Sequence, residues 1–444
     1  MYNKFHITRF KELTNWSVSQ QKEHDFGYSD SYPLVAISKF LVPNKVGIEI
    51  QDDVEYKQIT VKTKGGGVGL RCLKKGKDIG TKQQWLARSG QFVLSKIDAR
   101  NGAMGIVPEE LDESIVTHDF PLFDVKTDVV NPQFLLLIIT TESFMKFAQS
   151  CSSGTTNRQR INVKKFLQQR IPLPSLEEQY QLIKNYQEII VSAETLENSS
   201  ITIDISLLSY FDNILGSQSI KSPKIHKGLN FFMYSNIDKW GVDFISQKEH
   251  KTSLYKFAKL KSLCSIGSGG TPSRSIKRFF NGNIPWLKTC ELNNDIIYHT
   301  EECLTTDGLD SCSAKLYEPN SIIIAMYGAT IGRTALLGIS CSTNQACAVL
   351  HDISIELVST YYLWYYLQYH RYEFKNKAYG SAQPNINAKI IAEYEIPLPP
   401  LSVQQEIVDY VTSERAKAKA LKEEAIQLRK QAKVEFEKQI FAKL

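Results

Sequence analysis

The sequence has no apolar run long enough to cross a bilayer. Its longest run of side chains without a polar atom, Phe134 to Ile139, is six residues, where a spanning helix needs about twenty. The opening residues MYNKFHITRF lack the apolar core of a secretory signal, so none is expected. Eight cysteines are scattered without a C-x-x-C pair, and Cys341 and Cys347 stand too far apart for a zinc knuckle. Reduced thiols in a cytoplasmic protein are the expectation. The histidines show no H-E-x-x-H or other metal-ligand spacing, so no metal is expected. Gly65-Gly-Gly-Val-Gly lacks the strand–helix setting of a dinucleotide loop and reads as a mobile loop. Gly267-Ser-Gly-Gly-Thr is not followed by G-K-[ST] and is no Walker loop. Asn131-Pro-Gln-Phe has Gln133 where an amino-methyltransferase N-P-P-F motif has its second proline, and no cofactor glycines precede it. It reads as a helix start with Pro132 in the first turn. No catalytic constellation remains, so neither an activity nor a bound cofactor is expected of this chain.

What is present is an ordinary globular composition, 42% hydrophobic and 23% charged, over 444 residues, enough for more than one core. The net charge of +6 is unevenly spread. Residues 1–173 carry 24 basic against 18 acidic side chains, and residues 219–398 carry 19 against 15. Residues 174–218 reverse the balance, 1 against 7, and residues 399–444 carry 9 against 7. A polyanion would be drawn to the two large segments and repelled by the acidic one.

Those segments follow an internal repeat at a separation of about 225 residues. Ile171-Pro-Leu-Pro-Ser-Leu returns as Ile396-Pro-Leu-Pro-Pro-Leu. Gly154-Thr-Thr-Asn-Arg-Gln-Arg-Ile-Asn is answered by Gly380-Ser-Ala-Gln-Pro-Asn-Ile-Asn, and Asn101-Gly-Ala-Met-Gly by Tyr327-Gly-Ala-Thr-Ile-Gly. Three matches in one order predict four parts: globular 1–173, helical 174–218, globular 219–398 and helical 399–444. Each proline pair makes a stiff, non-helical lead, after which a helix can begin, with Ser175 and Ser402 as candidate N-caps.

The first helical part carries a heptad stripe of Leu182, Tyr186, Ile189, Ala193, Leu196, Ser200, Ile203, Leu207, Tyr210 and Ile214, which only Ser200 interrupts. The second runs through Val411, Glu414, Ala418, Leu421, Ala425, Leu428 and Ala432, with Phe436 and Ile440 beyond. Narrow stripes seek one partner helix each, so the two are expected to pack together, antiparallel if the repeats are related by a twofold. The globular parts alternate strand-like runs (Gly90–Ile97, Ser321–Met326, Ala346–Leu350) with turns, and each yields to an aromatic-rich helix, 132–147 and 360–374. The predicted class is α+β: two pseudo-repeated mixed α/β domains separated by two long helices packed as an antiparallel coiled coil.

The residues left to act are polar and cationic, in loops of the basic domains. In the first they are Lys96, Arg100, Asn101, Thr155, Thr156, Arg158 and Arg160. In the second they are Thr271, Ser273, Arg274, Lys288, Tyr327, Thr330, Arg333, Asn344, Gln345, Gln383 and Asn385. Arg reads guanine and Asn or Gln reads adenine by paired hydrogen bonds, while Lys mainly holds phosphate. Any one could equally be a turn-forming or solvated side chain; their recurrence at matched places favours DNA contact.

Gly269-Gly-Thr-Pro-Ser-Arg, Asn281-Gly-Asn-Ile-Pro-Trp, Tyr327-Gly-Ala-Thr-Ile-Gly, Ser342-Thr-Asn-Gln and the I-P-L-P lead to a long helix resemble the second half of a Type I restriction–modification specificity subunit. Ser95-Lys-Ile-Asp-Ala-Arg-Asn-Gly-Ala and Arg158-Gln-Arg-Ile resemble a different subtype of target-recognition domain. The resemblance implies two such domains held apart by paired helices, each reading one half of a split, asymmetric site in double-stranded DNA. It implies two methyltransferase subunits docked on the helices and domains, then motor–nuclease subunits. S-adenosylmethionine, ATP and Mg²⁺ would belong to those partners. The alternatives are the specificity subunit of a related system, a self-contained modification enzyme, or a helical scaffold that binds only protein.

Overall fold

The computed structural model describes residues 28, 31–153, 160–220, 250–378 and 385–441. Two compact units share the chain. One comprises Met1–Thr195 with Glu424–Leu444, the other Leu196–Glu423. Each long helix, Leu176–Leu215 and Leu401–Ile440, therefore contributes to both units.

In the first unit a four-stranded antiparallel sheet runs in the order Leu41–Pro43, Leu122–Val125, Phe92–Leu94, Met104–Ile106. In the second, the order Ser265–Ser268, Cys347–His351, Ile322–Ala325, Thr334–Leu337 is the same, with Ile296–Ile297 added in parallel at one edge. In both, the third and fourth strands form a hairpin; the matched sequence from Tyr327 lies in its connection, and that from Asn101 leads from the connection into the fourth strand.

Both I-P-L-P segments are short strands that close their own unit. Ile171 pairs with Val35 and Ile396 with Ala258, both antiparallel. Ser175 caps the first long helix with a reciprocal box: its amide donates to Glu178 at 2.8 Å, and the Glu178 amide donates to its hydroxyl at 3.3 Å. Ser402 does not play that part. The second long helix starts one residue earlier, at Leu401, and the Pro400 carbonyl accepts its first amides, from Val403 and Gln404.

A glutamine in the first turn then bolts each helix to its unit. Gln179 accepts from the Asn131 amide at 2.7 Å and donates to the carbonyls of Pro174 and Val129. Gln404 accepts from the Ser359 amide at 2.7 Å and donates to the carbonyls of Pro399 and Leu357. Neither glutamine has exposed surface, and an unmet backbone group is costly in such a place.

The predicted aromatic helices are each two helices. The first breaks between Pro132–Ile139 and Glu142–Ser150, because the hydroxyls of Thr140 and Thr141 take the carbonyls of Leu137 and Ile138. Asn131 caps it and Pro132 opens it, as expected. The second breaks at His370, between Thr360–Tyr369 and Arg371–Lys377, with Nδ1 of His370 against the Tyr366 carbonyl. In the repeat, Asn162 and Asn387 act alike, each capping a short helix by accepting from an amide three residues on.

The helix stripes are covered within each unit. In the first, Tyr186 meets Phe436 edge-on at 6.4 Å, beside buried Leu182 and Ala193 and half-buried Ile189. In the second, Leu207, Val411 and Ala418 are buried and Tyr210 stacks on Tyr410 at 4.1 Å. Leu196, Ile203, Ile214, Leu421 and Leu428 are half-buried. Within each unit the two segments run antiparallel, so the expected class holds. Ser200, the break in the stripe, is fully buried and donates to the Ala418 carbonyl across the helix pair at 3.0 Å.

The second sheets differ. The first unit has five strands, in the order Val46–Glu49, Gln83–Ala87, Ser114–Val116, Glu55–Val61, Val68–Lys75; the second unit has three, Glu302–Leu304, Phe280–Leu287, Ser342–Thr343. Gly65-Gly-Gly-Val-Gly is no mobile loop but the turn of the hairpin Glu55–Val61/Val68–Lys75. Lys64 and Gly65 donate their amides to the carbonyls of Asn101 and Gly102. No helix among the described residues is long and apolar enough to cross a membrane.

Candidate nucleic-acid interface

In the first unit, Lys96 extends the strand Phe92–Leu94 and lies beside the start of Arg160–Ile161, whose Ile161 amide donates to its carbonyl at 2.8 Å. Its ammonium donates to the His118 carbonyl at 2.8 Å, and the Arg160 guanidinium pairs with Asp119 at 3.0 Å. Arg100 and Asn101 occupy a single turn, Ala99–Asn101, that ends on Gly102 in the left-handed region, φ 78°. Asn101 is exposed and Arg100 half-buried. Thr155, Thr156 and Arg158 lie outside the described residues, as does Gln383 of the second unit.

In the second unit the candidates gather around Trp286, whose Nε1 donates to the Gly270 carbonyl at 3.1 Å. The Thr271 hydroxyl bonds the Gln345 side chain, and Ser273 bonds Ser275. The Arg274 guanidinium lies over the rings of Phe280 and Trp286, at 4.8 and 5.0 Å, and grips Glu302 with two nitrogens. Lys288 binds Glu301 and the same Glu302, each at 2.9 Å. The bonds it donates to Glu301 and then Glu302 push its ammonium pKa up. The Arg274 bond, then the Lys288 bond, holds the Glu302 carboxyl below its ordinary range. These two cations are thus neutralised by carboxylates before any ligand arrives.

The strand end at Met326 joins three further candidate segments through the backbone. Its amide donates to Ala346, its carbonyl accepts from Ile386, and Tyr327 bridges Asn385. Tyr327 is 40% exposed, and the Thr330 hydroxyl closes the turn on its carbonyl at 2.9 Å. Asn344 is half-buried, and its Oδ1 accepts from the Ala346 amide at 3.2 Å and from the Cys347 thiol.

Arg333 follows this turn with no carboxylate partner among the described residues. Beside it stands Arg371, absent from the sequence-derived set, which donates to the carbonyls of Ile331 at 2.8 Å and Ala329 at 2.9 Å. Burial, then the charge of Arg333, lowers the pKa of Arg371. Two cationic charges therefore repel one another beside a turn that Arg371 braces, an arrangement that favours an anion. Arg371 and the acid clamps Glu302 and Asp119 carry no motif in the sequence; their neighbours come from distant segments.

One group of potential metal donors, Cys290, Glu291 and Glu301, lies within 4.8 Å. Its carboxylates are engaged: Glu291 accepts from the amides of Lys288 and Glu301, and Glu301 binds Lys288. Burial pushes the Cys341 thiol up to about 12 and raises Cys347 as well, which leaves both inert at neutral pH.

The sequence matches the family model of the Type I restriction modification DNA specificity domain twice, over residues 36–206 and 252–428. The chain belongs to this family. It is 28% identical over 190 residues to the Type I restriction enzyme MjaIX specificity subunit of Methanocaldococcus jannaschii, covering 40% of this chain and 44% of that one. It is 22% identical over 322 residues to the Type I restriction enzyme HindI specificity subunit of Haemophilus influenzae, covering 62% and 69%. The match thus spans less than half the length of the first relative. A solved structure described as the basis of complex assembly and conformational transition of the type I R-M system covers 94% of this chain and 99% of its own. It superposes with a TM-score of 0.57 at 18% identity, a likeness of fold.

Proposed function

We propose that this chain is the non-catalytic DNA-specificity subunit of a Type I restriction–modification complex, in which each unit reads one half of a split, asymmetric site. The observation that carries the reading is equivalence without identity. Both units have the same sheet order, the same strand closure and the same glutamine bolt, yet present different second sheets and different loops. Duplicated scaffolds with unlike surfaces suit two different half-sites and no palindrome.

The long helices set the half-site spacing and dock two methyltransferase subunits; motor–nuclease subunits complete the assembly. Ile201 and Ile205, one turn apart and more than half exposed, are apolar side chains left outside the helix pair, as a docked subunit would require. S-adenosylmethionine, ATP and Mg²⁺ act on those partners, in the cytoplasm.

Exchange of residues 219–398 for the corresponding segment of a relative tests the reading. Methylation sequencing of cells carrying the hybrid should show one half of the motif changed and the other kept. A motif changed in both halves, or an unchanged motif, rules out independent readers.

A further inference from the structure

The hairpin Glu55–Val61/Val68–Lys75 belongs to no matched motif of the repeat, and it concentrates charge. From Tyr56 through Lys77 stand seven Lys or Arg residues and no Asp or Glu; the one acid of the hairpin is its first residue, Glu55, opposite Lys75. Lys57 is tied to the Glu110 carbonyl at 3.0 Å. Lys62, Lys64, Arg71, Lys75 and Lys77 are exposed and form no ion pair among the described residues.

Three features go beyond a charged surface. The strands lose register between Gln58 and Ile59: Gln58 faces Cys72 and Ile59 faces Leu70, so Arg71 is the extra residue of a bulge. A bulge re-aims the side chain it extrudes, and here that side chain is an exposed arginine. At the tip, Lys64 and Gly65 donate to Asn101 and Gly102, at 2.6 and 3.2 Å, which fixes the turn beside Arg100. A Cβ at Gly65 would lie 2.6 Å from the Thr140 methyl, so the close seating depends on glycine. Finally, the Lys62 stem runs along the partner strand beside Gly69, where a Cβ would meet its Cε in ordinary contact at 3.4 Å.

We propose that this hairpin is the backbone-gripping arm of the first unit, with Lys62, Lys64 and Arg71 each on a DNA phosphate. The inference rests on the functional reading above and deepens it. Val68–Lys75 is also a sheet edge, and lysines commonly guard such edges against pairing. A guard would leave the ionic response of DNA binding untouched, whereas a phosphate contact sets it.

The test titrates the full chain onto a duplex of unrelated sequence at several salt concentrations. The triple variant Lys62→Gln/Lys64→Gln/Arg71→Gln should lower the slope of log K against log salt by about 0.9 per contact, roughly 2.7 in all. Lys64→Gln alone should lower it by about 0.9. The control Lys184→Gln/Lys419→Gln/Lys430→Gln, which removes equal charge from exposed sites on the long helices, should keep the wild-type slope. A hairpin variant with the wild-type slope, or a control that loses as much, overturns the arm while the functional reading stands. A wild-type chain that shifts no duplex, in cognate or random pools, overturns both.

Discussion

The four core strands of the two units run in one order and their helices are fastened by the equivalent glutamine, but the main cation cluster of each is managed in the opposite way. In the second unit Arg274 and Lys288 converge on Glu302, with Glu301 as a further partner of the lysine. In the first, the hairpin Glu55–Val61/Val68–Lys75 has one acid, Glu55 at its start, and its exposed cations form no ion pair among the described residues. Duplication has kept the parts that hold the helices and let the surfaces diverge. An unpaired cation attracts any polyanion, whereas one held by a carboxylate must exchange that partner for the ligand and so discriminates between geometries. On the proposal above, the hairpin thus suits grip and the Glu302 cluster suits selectivity, within units that each read a half-site.

The largest effect should come from breaking what the units share. Gln404→Ala strips partners from the Ser359 amide and the carbonyls of Leu357 and Pro399, and Gln179→Ala does the same to Asn131, Val129 and Pro174. At about 1–3 kcal/mol for each buried group left unmet, either change should cost several kcal/mol. Chemical denaturation should give similar losses for the two variants, and limited proteolysis should cut first in the unit that carries the change. Unequal losses would show that the matched geometry is not matched in energy.

Much of this frame is legible in the sequence, because it is written in local chemistry. The proline pairs and the heptad stripes act within a few residues of themselves, so repetition exposes them; Asn162 and Asn387 end a matched segment, but their capping shows only in the structure. Ser200 is instructive: as a break in the stripe it looks like a flaw, and only the facing Ala418 carbonyl explains it. The site is less legible. Arg274 and Lys288 are visible as cations, but Glu302, which restrains both, approaches from another strand. Asn344 is visible as an amide, but the bonds its Oδ1 accepts from Ala346 and Cys347 within its own loop are not. Arg71 stands in a stretch without a motif, and its meaning comes from a register shift that no periodicity announces.

A smaller effect should separate reading from gripping inside the second unit. Arg333 has no carboxylate to exchange among the described residues and stands beside Arg371 on a braced turn. Arg333→Ala should cost about 1–3 kcal/mol on the cognate duplex if it makes a paired contact with a guanine. On unrelated DNA the loss should be much less. Equal losses on both would make Arg333 a phosphate contact and the second unit more like the first.

The smallest effect comes from making the second unit resemble the first. Glu302→Gln removes the charge that Arg274 and Lys288 share. The carboxyl is held below its ordinary range in the folded protein, so its clamp is complete at pH values above the unfolded carboxylate range and is lost only as pH falls through the lowered value. At neutral pH the substitution therefore removes a fully formed clamp. Affinity for unrelated duplex should rise by less than about tenfold, and the salt slope should grow by about 0.9 for each cation that reaches a phosphate. Discrimination between cognate and unrelated DNA should narrow accordingly. Should affinity for the cognate site fall while unrelated DNA is unaffected, Glu302 would be the residue that aims Arg274 at its base, and the contrast between the units would be one of geometry rather than of charge.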